Sequence, residues 1–129
     1  MLEATQVVTQ FLRACGDREI DRALALVTGD VQYDNVPVGV VTGPEGIRAV
    51  LAGGITAAAE RVEWVVLRQV AQGDTVMSER VDRFFLQGTW LEIPVVGVFV
   101  LRNGRIALWR DYFDLLGYQE QKRRLPSPR

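Results

Sequence analysis

Residues 61–114 read RVEWVVLRQVAQGDTVMSERVDRFFLQGTWLEIPVVGVFVLRNGRIALWRDYFD. Valine, isoleucine, phenylalanine and tryptophan come here in runs, and the runs stop at Gln72-Gly73-Asp74, Gln87-Gly88 and Asn103-Gly104. β-Branched and aromatic side chains suit a pleated, half-buried surface, and glycine beside a polar residue suits the positive φ angles of tight hairpins. The spacing predicts four antiparallel strands near 61–71, 75–87, 90–102 and 105–114. Such a meander has a broad apolar face that another layer must cover.

The preceding residues supply that layer. Val7, Phe11 and Cys15, with Val8 and Leu12 beside them, recur at helical spacing and predict an amphipathic first helix. Gly16 and Asp17 interrupt it, and a second helix is expected over 18–27, burying Ile20, Ala23, Leu24 and Val27 with Asp17 as its N-cap. Thr28-Gly29-Asp30 closes that helix, and Val31 to Val36 reads as a short strand limited by Pro37 and Gly39. Thr42-Gly43-Pro44-Glu45 has the form of a helix start, with Ile47, Val50 and Leu51 facing inward and the helix fading near Ala59. After the meander, 115–123 suggests a last helical turn, and 124–129, with two prolines and a serine, a frayed tail. Helices first and a meander afterwards predict an α+β fold, its curved sheet wrapping a pocket that the helices help to close.

Composition limits the chemistry. A chain of 129 residues, 48% hydrophobic and 24% charged, fits one domain over 1–129 with a real core. Fifteen Lys and Arg against 16 Asp and Glu leave no net field for nucleic acid, so a small neutral ligand is the better expectation. The longest apolar run, Ile93 to Leu101, is far short of the roughly 20 residues of a membrane-spanning helix. MLEATQ opens with an acid and does not read as a signal peptide, so a cytoplasmic location is expected. There is no histidine, which excludes His-dependent triads and imidazole metal sites. The lone Cys15 can form neither an internal disulfide nor a Cys-rich zinc site, and its apolar stripe marks it as a small buried residue. No GxGxxG or Walker sequence offers a nucleotide cradle. Any catalysis therefore falls to carboxylates, arginine, tyrosine and amides.

Polar residues two apart in a strand share a face. Tyr33 and Asn35 form one such pair, Arg80 and Asp82 another, and Asp111 lies between Trp109 and Phe113 on a third strand. On the second strand Ser78, Arg80, Asp82 and Phe84 share one face, while Met77, Glu79, Val81 and Arg83 share the other. Both faces mix charged with apolar residues, so alternation alone leaves the inward face open. Singly, each group has an ordinary explanation. Arg80 with Asp82 could be a surface ion pair worth about 0–1 kcal/mol. Asp111 could be a solvated partner of Arg110 or Arg105, and Tyr33-Asp34-Asn35 could be turn chemistry ahead of Pro37.

Taken together, Tyr33-x-Asn35, Arg80-x-Asp82 and Trp109-Arg110-Asp111-Tyr112-Phe113 resemble, in order, spacing and chemical type, the catalytic set of the limonene-1,2-epoxide hydrolase family. Gly43-Pro44-Glu45-Gly46 and the Asn103-Gly104 hairpin extend the resemblance over nearly the whole chain. It implies the cone shared with nuclear transport factor 2, ketosteroid isomerase and SnoaL-like polyketide cyclases. That cone is a strongly curved, mixed, mainly antiparallel sheet with three to four helices closing a deep pocket, usually in a homodimer. It also implies one-step addition of water to an apolar, cyclic or terpene-like epoxide to give a vicinal diol, with no metal and no organic cofactor. By the same resemblance Asp111 is the general base, Tyr33 and Asn35 hold the water, Asp82 is the general acid, and Arg80 bonds both aspartates so that the pair shares one proton. Burial raises Asp82 toward its protonated form while Arg80 opposes that rise. Phe84 and Phe113, two residues beyond the aspartates on the same faces, are candidate substrate-binding walls, with plain core as the alternative. Two other readings stay open: a ketosteroid-isomerase- or cyclase-like enzyme, and a non-catalytic ligand-binding module of the same fold. Contact of Arg80 with both aspartates would count against the isomerase, because a nearby cation ionises the acid that must stay neutral.

Overall fold

The expected meander is present almost residue for residue. In the computed structural model, which describes residues 2–126, β3 (Arg61–Gln72), β4 (Thr75–Leu86), β5 (Thr89–Arg102) and β6 (Arg105–Phe113) pair antiparallel in sequence order. Gln87-Gly88 and Asn103-Gly104 have positive φ at both residues, the backbone of two-residue hairpins whose twist matches the flanking strands. Ahead of the meander come α1 (Ala4–Gly16), α2 (Ile20–Leu24), β1 (Val27–Asn35), β2 (Gly39–Thr42), α3 (Gly43–Leu51) and α4 (Gly54–Ala58), and α5 (Leu115–Arg123) follows it.

The sheet has six strands in the order β2-β1-β6-β5-β4-β3 and is curved but not closed. β1 lies parallel to β6, so the sheet is mixed and mainly antiparallel. α1 packs across the concave face through Val7, Val8, Phe11, Leu12 and Cys15, joining Val76, Phe99 and Trp109 in one apolar cluster. Phe11 meets the Trp109 ring edge-on at 4.9 Å. A second cluster lies toward the other end of the same face, where Ala59, Phe84, Leu91, Ile93 and Val95 pack with Phe113 and Tyr118.

Several expectations need correction. The second helix does not run over 18–27. Arg18 takes a left-handed backbone (φ 59°), Glu19 is the N-cap, Asp17 ends α1 instead, and Val27 already belongs to β1. The bend is held because the Arg18 guanidinium donates to the carbonyls of Ala59 (2.7 Å) and Glu60 (3.2 Å) at the far side of α4. Thr28, Gly29 and Asp30 are strand residues, absorbed by an irregularity in the β1–β6 register between Val27 and Gln32. β2 was not foreseen, being four residues long and exposed along most of its length. The helix after Gly43 breaks at Ala52-Gly53 into α3 and α4, and Val50 is exposed whereas Ile47 and Leu51 are buried. There are thus five helices among the described residues. Of the tail expected to fray, residues 127–129 lie outside the described residues.

Candidate active site

β4 crosses between the two apolar clusters, with Val76 in the first and Phe84 in the second. The inward residues between them are Ser78, Arg80 and Asp82, so the face left open by alternation is the one carrying the ion pair. β5 repeats the pattern with Phe99 and Val95 flanking Gly97, and β6 with Trp109 and Phe113 flanking Asp111. Register aligns these gaps, since Gly97 pairs with Ser78 on one side and Asp111 on the other. β1 completes the stripe because its parallel register sets Tyr33 beside Trp109 and Asn35 beside Asp111. A band of polar groups therefore runs across four strands, walled by apolar residues at both ends.

Arg80 is the centre of this band. Its Nε and Nη2 donate to Asp82 Oδ1 and Oδ2 at 2.8 and 3.2 Å, and its Nη1 and Nη2 donate to Asp111 Oδ1 and Oδ2 at 3.1 and 2.7 Å. Arg80, Asp82 and Asp111 are 1%, 7% and 3% exposed, which rules out a solvated surface pair. Arg110 points elsewhere and pairs with Asp34. The Trp64 ring lies over the guanidinium at 5.0 Å and covers the polar cluster from β3. The Gly97 position is where Arg80 reaches Asp111: a Cβ there would stand 2.9 Å from both Arg80 Nη1 and Asp111 Oδ1.

Burial pushes Asp82 up to about 6, and the negative charge of Asp111 adds to the rise while the Arg80 guanidinium opposes it. Burial alone would discharge Arg80, but the two aspartates hold it above the ordinary arginine value. One guanidinium against two carboxylates leaves a buried charge of minus one, and one added proton makes the cluster neutral. Tyr33 is raised by burial and then by Asp111, so its hydroxyl stays a proton donor. Its ring stacks on Trp109 at 3.7 Å. Asn35 Oδ1 is buried and accepts no hydrogen bond from the described residues, leaving an acceptor ready for a small polar ligand.

These groups line the deep end of a cavity of about 310 Å³. Tyr33, Asn35, Asp82 and Asp111 reach it from β1, β4 and β6, while Arg80 lies behind them. Phe84 and Phe113, the two candidate wall residues, both line it. Other walls were not anticipated: Trp64, Ile93, Val95, Ile55 and Tyr118. Parity could have found Ile93 and Val95 once the inward face of β5 was known. Tyr118 enters from α5, which no strand pattern addresses. Donor groups on two sides of an acid–acid–arginine cluster, at the end of an apolar cavity, suit proton transfer to and from a small bound molecule and a water.

Comparison with known proteins identifies the family. Residues 2–124 match the family described as limonene-1,2-epoxide hydrolase catalytic domain. The epoxide hydrolase EphG of Mycobacterium tuberculosis is 32% identical over 115 residues, covering 84% of this chain and 71% of EphG. A solved M. tuberculosis epoxide hydrolase of the same type superposes with a TM-score of 0.76 at 31% identity, over 91% of this chain and 86% of that one. A SnoaL-like polyketide cyclase from Jannaschia sp. has a TM-score of 0.81 at 21% identity, over 95% of this chain and 93% of that one, a likeness of fold alone. With its cone-like α+β architecture and a family match over nearly its whole length, the chain belongs to the limonene-1,2-epoxide hydrolase family.

Proposed function

We propose that the protein adds water to an apolar, cyclic or terpene-like epoxide and releases a vicinal diol, in one step and without a covalent intermediate. The observation that carries this reading is the contact of one buried arginine with two aspartates at the end of an apolar cavity. Water sits between Asp111, Asn35 and Tyr33. Asp111 takes a proton from it as its oxygen bonds to an epoxide carbon. The carbon–oxygen bond of the ring breaks on the opposite face, and Asp82 gives its proton to the departing oxygen. Water is consumed, both product oxygens end as hydroxyls, and a proton passing from Asp111 back to Asp82 resets the pair. Arg80 holds both carboxylates in place and offsets the charge that moves between them. On Asp82 the acidic proton belongs on Oδ2, whose contact with Arg80 is the longer of the two.

The upward displacement of Asp82 by burial supports this division of roles. A ketosteroid-isomerase-like reaction is disfavoured by the same contact, since Arg80 touches both acids. The homodimer implied by the resemblance is part of the proposal. Exposed Val65, Met77, Val96 and Tyr112 on the outer sheet face offer an apolar surface for it, and light scattering of the purified protein tests it.

The decisive experiment is a single turnover in oxygen-18 water with a panel of terpene, styrene and cyclohexene oxides. Label confined to the diol is the expected result. Label in an aspartate carboxylate would refute the one-step reaction, and failure to open any epoxide of the panel would favour a ligand-binding module.

A further inference from the structure

Arg80 bonds both aspartates through two nitrogens each, so the guanidinium by itself does not distinguish them. Burial drives Asp82 toward its neutral form, and a second difference bears on which carboxylate keeps the shared proton. The difference lies two residues before Asp111. Trp109 is fully buried, and its indole Nε1 donates to Asp111 Oδ1 at 2.8 Å. Asp111 thus accepts three N–H bonds and Asp82 two, both from Arg80.

We propose that Trp109 is a positioning residue whose N–H turns Asp111 so that only Oδ2 is open to the water, and that biases the shared proton toward Asp82. This inference rests on the roles given above to the two aspartates. Oδ1 of Asp111 is filled by Trp109 Nε1 and Arg80 Nη1, whereas Oδ2 accepts only Arg80 Nη2. N–H donors favour the ionised form of the carboxylate that accepts them, and Asp111 accepts one more than Asp82. The indole cannot turn away, because Tyr33 stacks on it at 3.7 Å and Phe11 meets it edge-on at 4.9 Å. The same stacking orients Tyr33, so one ring sets both the base and a neighbour of its water.

The groups facing Asp111 are few. β4 contributes Arg80 and Asp82, β1 Tyr33 and Asn35, β6 Trp109, and α1 Cys15. Burial raises both the Cys15 thiol and the Tyr33 hydroxyl, so neither carries charge at neutral pH. Among the described residues, Arg80 and the two aspartates are then the only charges in this cluster, and Trp109 is the neutral donor that breaks their symmetry.

Replacing Trp109 site-specifically with 3-benzothienylalanine, which keeps the bicyclic shape and lacks the N–H, isolates this bond. Loss of a charge-assisted hydrogen bond worth a factor of about ten should lower kcat about tenfold and move the acidic limb of its pH profile up by about one unit. KM and the melting temperature should change little. Trp109→Phe should show the same pH shift with added instability from the smaller ring. An unchanged pH profile in the benzothienyl protein, whether or not kcat falls, overturns the proposal and leaves Trp109 a packing residue. Asp111→Asn assayed alongside separates the two levels: wild-type turnover in that variant refutes the base assignment itself. An inactive Asp111→Asn beside an unaltered benzothienyl protein refutes only the role of Trp109. In the unmodified protein, the Trp109 indole N–H resonance should be shifted downfield and slow to exchange, and fast exchange would also overturn the bond.

Discussion

Gly97→Ala tests the architecture of the polar band most directly. The glycine lies between Ser78 and Asp111 in the sheet, in a backbone conformation open to any residue, so an alanine brings no backbone strain. Its methyl would lie 2.9 Å from Arg80 Nη1, 2.9 Å from Asp111 Oδ1 and 3.0 Å from Phe99 Cε1. Ordinary contact begins near 3.4 Å, so each neighbour must retreat by about half an ångström. Phe99 is fully buried against Trp109 and has little room, so the charged pair must yield. The Nη1–Oδ1 bond, already 3.1 Å long, is the one to open. A charge-assisted bond is worth about 1.5–3 kcal/mol and overpacking costs about 1–3 kcal/mol; because opening the bond relieves part of the overpacking, the two do not add in full and a loss of roughly 2–4 kcal/mol is expected. In a domain of this size that lowers the melting temperature by about 6–16 °C. If Asp111 is the base proposed above, displacing its carboxylate by a fraction of an ångström should also cut kcat about 10–100-fold. Urea denaturation and steady-state kinetics on one epoxide of the panel measure the two effects. If Gly97→Ala kept wild-type kcat and melted within a degree of the parent, the claim that this backbone gap lets Arg80 reach Asp111 would be wrong.

Asp82→Asn and Asp111→Asn should each reduce turnover by roughly 10²–10⁴, because each removes one of the two proposed proton-transfer roles, and circular dichroism should report a retained fold. With Asp82 at about 6, the pH profile of kcat/KM should fall as pH rises through about 6, tenfold per unit where the acid has ionised. The same shift affects stability. Between pH 4 and 6 the native state binds more protons than the unfolded chain, so stability should decline with rising pH by up to about 3 kcal/mol, and Asp82→Asn should abolish that decline in urea titrations. Arg18→Ala removes the bonds that tie the end of α4 to the α1–α2 turn, and Ile55 and Thr56 of α4 line the cavity. KM should therefore rise several-fold with kcat little changed, and a proportionate fall in kcat would show that α4 serves more than the cavity wall.

The strands of the meander were legible because each carries its own signal. Runs of β-branched residues end at turns whose glycine backbone is locally required, and no distant contact is needed to place Asn103-Gly104. The two short helices and β2 carry no such signal. α2 ends after five residues because β1 must reach the edge of β6, and that pairing spans some eighty residues of sequence. Arg18 is similar: nothing local marks an arginine for a left-handed backbone, and the carbonyls that hold it come from beyond α4. The site was half legible. Parity joined Arg80 to Asp82 and Tyr33 to Asn35, but both faces of β4 mix charged with apolar residues, and only the covering helix α1 and Trp64 decide which is buried. Resemblance supplied what periodicity could not, namely that three separate strands contribute to one cluster. The indole donor of Trp109 lay within the quoted motif and was visible as a residue, though not as a bond, since its direction depends on the register between β1 and β6.

Stability does not account for the cluster. Three ionisable side chains removed from water lose several kcal/mol of hydration each, and mutual attraction returns that only when every donor and acceptor is matched. Here the matching is uneven, with Asn35 Oδ1 and Ser78 Oγ lacking partners among the described residues, and Asp82 displaced upward. An apolar band of the same volume would join the two flanking clusters into one continuous core at lower cost. Instead the polar gap recurs in β1, β4, β5 and β6 at aligned positions, and a glycine in β5 clears the path between Arg80 and Asp111. The unmatched Asn35 acceptor and the displaced acid, both lining the cavity, are intelligible once a water and a substrate oxygen are counted among their partners. The fold surrenders packing where two carboxylates bonded to one buried arginine line an apolar cavity.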